Sequence, residues 1–407
     1  MTDRPLTAWP LYAAGFLTAF GSHGVAAGLG VDTESLAISV LTLGILLALY
    51  DVAEVVLKPV FGALSDRIGI RPVILLGLGG FALTSVAGAL SDEVIWLAVA
   101  RLGQGASAAA FSPAASAGVA RLAGPAPAGR YFGRYGSWKG LGYALGPLLG
   151  AGLIAIGGFA ALNWTLAGLA VVVAICVFVR IEAIPVVPKV RVTVVDMVRE
   201  LRARDFLIPV VALATSTAAL GIAVGFLPFL GSSMDLPVFV SVAAVTVVAI
   251  ASSATQPLVG RLVDRVQDRR WEITSSGLVL TAGGFVIIAA APSVIGIYLG
   301  ALLIGVGIGA TTPAAFTVLA SSTPPHRLGR TMGNAELGRE IGDAGGPLAT
   351  GAIIAAAGLP VALAAAAAGS AITGLALLLW SRRPLVGAVG GDLHRQPDDS
   401  RRSSGQA

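Results

Sequence analysis

Asp51, Glu54 and Lys58 lie three and four residues apart inside an otherwise apolar run, so a helix presents all three on one face. Glu54 precedes Lys58 by four residues, the better orientation for a helical ion pair. Near the far end of the chain Glu336, Arg339, Glu340 and Asp343 again fall mostly on one helical face. Lys139 and Arg101 stand in two further apolar runs. A charge at mid-helix in lipid costs at least about 2.5–3.5 kcal/mol, so these groups must face each other or a water-filled cavity. The chemistry open to them is ion pairing and proton uptake, because burial disfavours the charged form of a carboxylate. Bond-making chemistry has no such support. Three scattered histidines and one cysteine, Cys176, give no metal-ligand spacing and no nucleophile with its base. The chain is not read as an enzyme, and no catalytic residue, metal or cofactor is expected.

The elements that must position these groups are membrane helices. Of 407 residues 56% are hydrophobic and 12% charged, against roughly 25% charged in soluble domains. A chain so poor in charge cannot cover a surface in water, and lipid removes that demand. A helix needs about 20 apolar residues to cross the bilayer core. Twelve such runs are legible: 9–30, 36–63, 72–90, 94–120, 131–156, 159–180, 206–231, 237–260, 271–291, 293–320, 331–357 and 360–380. The 53 glycines fit this class, since small residues let membrane helices approach closely.

Charge in the connections alternates. One set holds Arg4, Arg67 and Arg71, Arg121 and Arg130, Arg180 through Arg204, Arg261 through Arg270, Arg327 and Arg330, and Arg382 onward. The other holds Asp32, Glu34, Asp92, Glu93 and Asp235 with no Lys or Arg. Basic connections stay in the cytoplasm, which puts both termini there, in the inner (cytoplasmic) membrane, and requires an even number of spans. This scatter also accounts for the net charge of +5 without nucleic acid as a partner. Residues 1–10 are too short and polar for a cleaved signal, so the first run is expected to be retained. Residues 181–205 form the longest basic connection, and 192–204 are expected to make an amphipathic helix on the inner leaflet. The polar tail 381–407 is expected to be disordered.

The chain repeats itself. Tyr131-Phe132-Gly133, Gly142 and Gly146-Pro147 recur as Thr331-Met332-Gly333, Gly342 and Gly346-Pro347, at a constant offset of 200, which also relates Pro113 to Pro313 and Lys139 to Arg339. Pro59, Gly62 and Asp66-Arg67 recur as Pro257, Gly260 and Asp264-Arg265. The expected architecture is an all-α integral membrane protein whose twelve helices form two pseudo-symmetric six-helix bundles, 1–180 and 206–380, with the binding site between them near the midplane.

Three motifs carry a family resemblance. The stretch from Gly62 through Asp66, Arg67, Gly69 and Arg71 to Pro72 resembles the signature between the second and third helices of the major facilitator superfamily, with Pro72 where a second basic residue is common. Arg101-Leu102-Gly103-Gln104-Gly105 resembles its intramembrane Arg-x-x-Gln-Gly motif, which is associated with proton coupling. Gly142, Gly146, Pro147 and Gly150 are similar to the motif of its antiporter branches, with Ala151 in place of a final Gly.

The resemblance implies twelve-helix, proton-coupled efflux of a drug-like compound or metabolite, by a protein expected to act as a monomer with protons, a small-molecule substrate and the bilayer as its partners. It implies that Asp66 and its arginines latch the cytoplasmic ends and that helices 2 and 11 meet across the halves. The two charged faces then form a network of Asp51, Glu54, Lys58, Lys139, Glu336, Arg339, Glu340 and Asp343, with Arg101 and Gln104 nearby. That network is either a coupling device or a static lock. Two other functions stay open. Lys139 and Arg339 would suit a phosphorylated, arsenical or carboxylate solute. A membrane sensor without transport would need an added soluble domain, and no connection is long enough for one.

Overall fold

A computed structural model of the chain describes residues 8–31, 40–90, 93–124, 128–182 and 203–381. Among the described residues the secondary structure is helical, with no strand. Helices α1 (Trp9–Val31), α2 (Val40–Ile68), α3 (Ile70–Ala89) and α4 (Val94–Ala123) precede one long helical run, Ala128–Arg180. Gly157 and Gly158 break that run, Gly158 with φ 65° and ψ −169°, a conformation essentially confined to glycine. Its two arms, 128–156 and 159–180, are α5 and α6. There follow α7 (Arg204–Ser233), α8 (Val238–Arg265), α9 (Arg270–Ala290), α10 (Val294–Ser322), α11 (Leu328–Ala357) and α12 (Leu359–Ser381).

With Ala128–Arg180 counted once, eight helices among the described residues are long and apolar enough to cross a membrane. α2 and α11, which carry the ionisable faces, fall outside that set. The expected amphipathic helix at 192–202 and the tail from 382 onward lie outside the described residues.

Helix ends overrun the apolar runs. α2 continues five residues past Ala63, carrying Ser65, Asp66 and Arg67 before Gly69 (φ 99°) stops it. α8 likewise runs to Arg265. Apolarity marks only the length in lipid, while backbone hydrogen bonding continues into the polar turn. The signature between the second and third helices therefore falls mostly on roughly the last two turns of α2.

Packing follows the sequence repeat. α1 packs on α5, α2 on α4, α3 on α4 and α6; six helices later, α7 packs on α11, α8 on α10, α9 on α10 and α12. The most extensive crossings between these sets are α2 with α11 and α5 with α8, with smaller contacts of α5 on α10 and α4 on α11. Small residues set both of the main crossings. A Cβ on Gly62 would sit 2.6 Å from the carbonyl oxygen of Gly329, and Gly260 abuts the carbonyl of Gly129.

Candidate functional site

At the basic helix ends, two carboxylates are seated on helix N-termini. Asp66 accepts the backbone N–H of Gly329 and of Arg330, both at 2.8 Å, and pairs with Arg121 of α4 at 3.0 Å. Asp264 accepts the N–H of Gly129 at 2.7 Å and of Arg130 at 2.9 Å. The first N–H groups of a helix have no intrahelical partner and carry partial positive charge, so each carboxylate completes a helix belonging to the opposite set. The two latches are unequal. The Arg121 side chain is only 7% exposed, whereas Arg130 is 37% exposed and its Nε lies 3.7 Å from Asp264. Asp66→Asn is therefore expected to shift the basic ends toward the open state by about tenfold and Asp264→Asn by about threefold. Spin-label distances across the two crossings would show it, and equal shifts would mean that Arg121 adds nothing.

Deeper between the sets lies a buried ion network. Lys58, fully buried, bridges Glu54 one turn away at 2.8 Å and Glu340 across the α2–α11 crossing. Glu336, also fully buried, joins Lys139 of α5 at 2.8 Å to Arg339 at 3.3 Å. Thr217 of α7 donates to the Arg339 carbonyl at 2.7 Å, and the Arg339 guanidinium lies 5.8 Å from the centre of the Phe316 ring. One face of α11 thus contacts α2, α5, α7 and α10.

Above the network, away from the latches, lies a cavity of about 170 Å³. Its wall takes His23 from α1, Asp51 and Glu54 from α2, Arg101 from α4, Tyr143 from α5 and Asp343 from α11. Arg101 is 3% exposed, so it does not reach the surface. Its Nε donates to the Leu46 carbonyl at 3.3 Å and its guanidinium covers the Tyr50 ring at 4.4 Å. A smaller cavity of about 30 Å³, lined by Gln256, Thr312 and Phe316, lies toward α8 and α10.

Residues 11–342 and 210–394 match the family model described as Major Facilitator Superfamily. The chain belongs to the major facilitator superfamily. Two solved members share its fold. A human organic anion transporter superposes with a TM-score of 0.78 at 19% identity, covering 92% of this chain and 100% of that one. The transporter FucP in its outward conformation gives 0.77 at 13% identity, covering 92% and 98%.

Curated relatives include the class D tetracycline resistance protein of Salmonella ordonez, 40% identical over 107 residues, and the class B protein of Escherichia coli, 38% identical over 107. A triacylglyceride transporter of Mycolicibacterium smegmatis is 34% identical over 105 residues. These matches cover 26% of this chain and 27%, 26% and 19% of the respective relatives. The chain thus spans about a quarter or less of the length of the curated relatives it matches. Fold and relatives together are those of multi-pass membrane transporters and not of enzymes.

The superfamily motifs take distinct places in this member. Asp66 makes the latch, but Arg67 is exposed, and Arg71 binds within its own set, donating to the Phe178 carbonyl of α6 at 2.6 Å. Gly142, Gly146 and Gly150 face Phe16, Phe20 and Gly24 of α1, so the antiporter-like stripe is a seam inside one set of helices. The helix runs on through Pro147 with helical dihedrals until Gly157. Gln104 turns away from the network and donates to Ser85 at 3.0 Å and Asn163 at 3.1 Å, tying α4 to α3 and α6. Arg121 was not singled out in the sequence, where it reads as one more basic residue at a helix end. Asp264 was legible only through its echo of Asp66.

Proposed function

We propose that this chain is a secondary active transporter that exports a small molecule in exchange for protons by alternating access. In this reading it has twelve spans and works as a monomer in the inner membrane, and the basic connections support both termini being cytoplasmic. The observation that carries this reading is the charge balance of the ion network together with the cavity wall beside it. Asp51, Glu54, Glu336, Glu340 and Asp343 face Lys58, Arg101, Lys139 and Arg339, one carboxylate more than cations. Taking up one proton neutralises the set, which lowers the cost of holding it inside the membrane. The same groups join the two sets of helices, so protonation and rearrangement are linked. One proton moving inward down about 100 mV and one pH unit releases roughly 3.7 kcal/mol, enough for a gradient of several hundred-fold.

The relatives' names offer a drug and a lipid as cargo. A cavity of about 170 Å³ walled by carboxylates suits a compact polar drug or metabolite and not a triacylglyceride. Lys139 and Arg339 are both held by Glu336, so an anionic solute would have to displace that carboxylate first.

The test is tetracycline-dependent proton movement in everted vesicles, read with a pH-quenched dye. Wild type is expected to dequench on addition of tetracycline, while Glu54→Gln and Glu340→Gln lose the response. Counterflow of tetracycline without proton movement would overturn the coupling and leave a facilitator.

A further inference from the structure

The ion network leaves two carboxylates over. Asp51 of α2 and Asp343 of α11 both line the large cavity, and neither has a hydrogen bond or ion pair among the described residues. Their neighbours on the same helix faces are engaged, Glu54 and Glu340 by Lys58 and Glu336 by Lys139 and Arg339. The cavity wall therefore sets four carboxylates against two cations, and one of those, Lys139, is already paired.

A different kind of orphan lies on the same wall. Arg101 is 3% exposed and its Nη1 has no partner; Tyr50 is fully buried and its hydroxyl has none. Side-chain polar groups buried this deeply are normally hydrogen-bonded. Both are donors, so they ask for an acceptor beside the carboxylates. Tyr143 adds an aromatic surface to the wall, edge to face with His23 at 4.6 Å, and aromatic faces favour quaternary cations.

Resting on the reading of this cavity as the transport site, we propose that it binds an organic cation carrying a hydrogen-bond acceptor. The cationic centre lies between Asp51 and Asp343, one from each set of helices, and the acceptor turns to Arg101 and Tyr50. Such a ligand bridges α2 and α11 above Lys58. It supplies the missing counter-charge and satisfies the buried donors, which neither a neutral lipid nor an anion does at once.

The test is calorimetric binding to the full-length protein in detergent. The probes are acetylcholine, its uncharged carbon isostere 3,3-dimethylbutyl acetate, and tetramethylammonium, which has no acceptor. Acetylcholine is expected to bind and the isostere not. Asp51→Asn and Asp343→Asn should each weaken acetylcholine about tenfold, and Asp51→Glu should retain it. Tyr50→Phe should weaken acetylcholine about threefold and leave tetramethylammonium unchanged. Equal binding of the isostere, unchanged affinity in both Asn variants, or no binding of acetylcholine would each overturn the proposal. Tetracycline-driven proton movement is a separate measurement, so failure here with that response intact rejects the cation site alone.

Discussion

Lys58→Met is expected to abolish proton-coupled exchange and to destabilise the protein by about 3–5 kcal/mol, the usual cost of removing one member of a buried ion pair. The variant leaves Glu54 and Glu340 facing each other with no cation between them, at a site where Lys58 and Glu54 are buried and the Glu340 side chain is only 20% exposed. Stability alone does not separate a coupling device from a static lock, because both lose the pair. The combination Lys58→Met, Glu54→Gln and Glu340→Gln does. It removes the charges together, and a neutral set can pack nearly as well as a buried ion pair. The other crossing supplies the precedent. There Gln256, the counterpart of Lys58, donates to Ser252 at 3.3 Å and packs against Gly136 and Gly140 of α5. The triple variant is expected to recover its melting temperature to within the equivalent of about 1 kcal/mol while exchange stays absent. Recovery of proton-coupled exchange along with stability would reduce the network to a lock.

The two crossings also show what the sequence could and could not convey. Spacing alone placed Asp51, Glu54 and Lys58 on one helical face and Glu336, Glu340 and Asp343 on another. The repeat paired Lys139 with Arg339. That Lys58 takes Glu340 while Lys139 takes Glu336 needed coordinates, because pairing across a crossing depends on the axial offset of two helices, and periodicity does not encode it. Gln104 is the clearest case. Arg101 stands three residues before it and so on a neighbouring part of the same helix surface, yet the Gln104 amide donates to Ser85 and Asn163 of α3 and α6 while Arg101 lies against α2. The alternation of basic and acidic connections marked which helix ends lie together. It could not show that Asp66 seats on the N-terminus of α11 while Arg71 stays with α6, since all basic residues of one end read alike. Glycine was the least legible residue. Gly142, Gly146 and Gly150 form a seam with α1, whereas Gly62 and Gly260 form the seams between the two sets, and nothing in their local sequence tells one kind of contact from the other.

That distinction gives the second large effect, because a methyl group at a moving seam must act differently from one at a fixed surface. Gly62→Ala is expected to reduce exchange at least about 100-fold while leaving a folded protein. The added Cβ would lie 2.6 Å from the Gly329 carbonyl oxygen and 3.1 Å from the Gly333 Cα. Both obstacles are backbone, which no rotamer change can move aside. The only relief is to part α2 from α11, and that also lengthens the two N–H bonds to Asp66 and the Lys58–Glu340 contact. The packing within each set is untouched, so the variant should melt close to wild type. Spin labels across the α2–α11 crossing at the basic end should report a longer mean distance. Gly260→Ala should do the same at the α5–α8 crossing, where Gly129 stands opposite. Gly79→Ala in α3 is the control, because nothing lies within 4 Å of its Cβ position and alanine favours a helix over glycine by about 1 kcal/mol. If Gly62→Ala melts early and shows no change in label distance, the crossing is a folding contact and not a gate. If it melts normally with the basic ends held apart, closing those ends is a step of the transport cycle, and the glycines are there to let two backbones meet and separate.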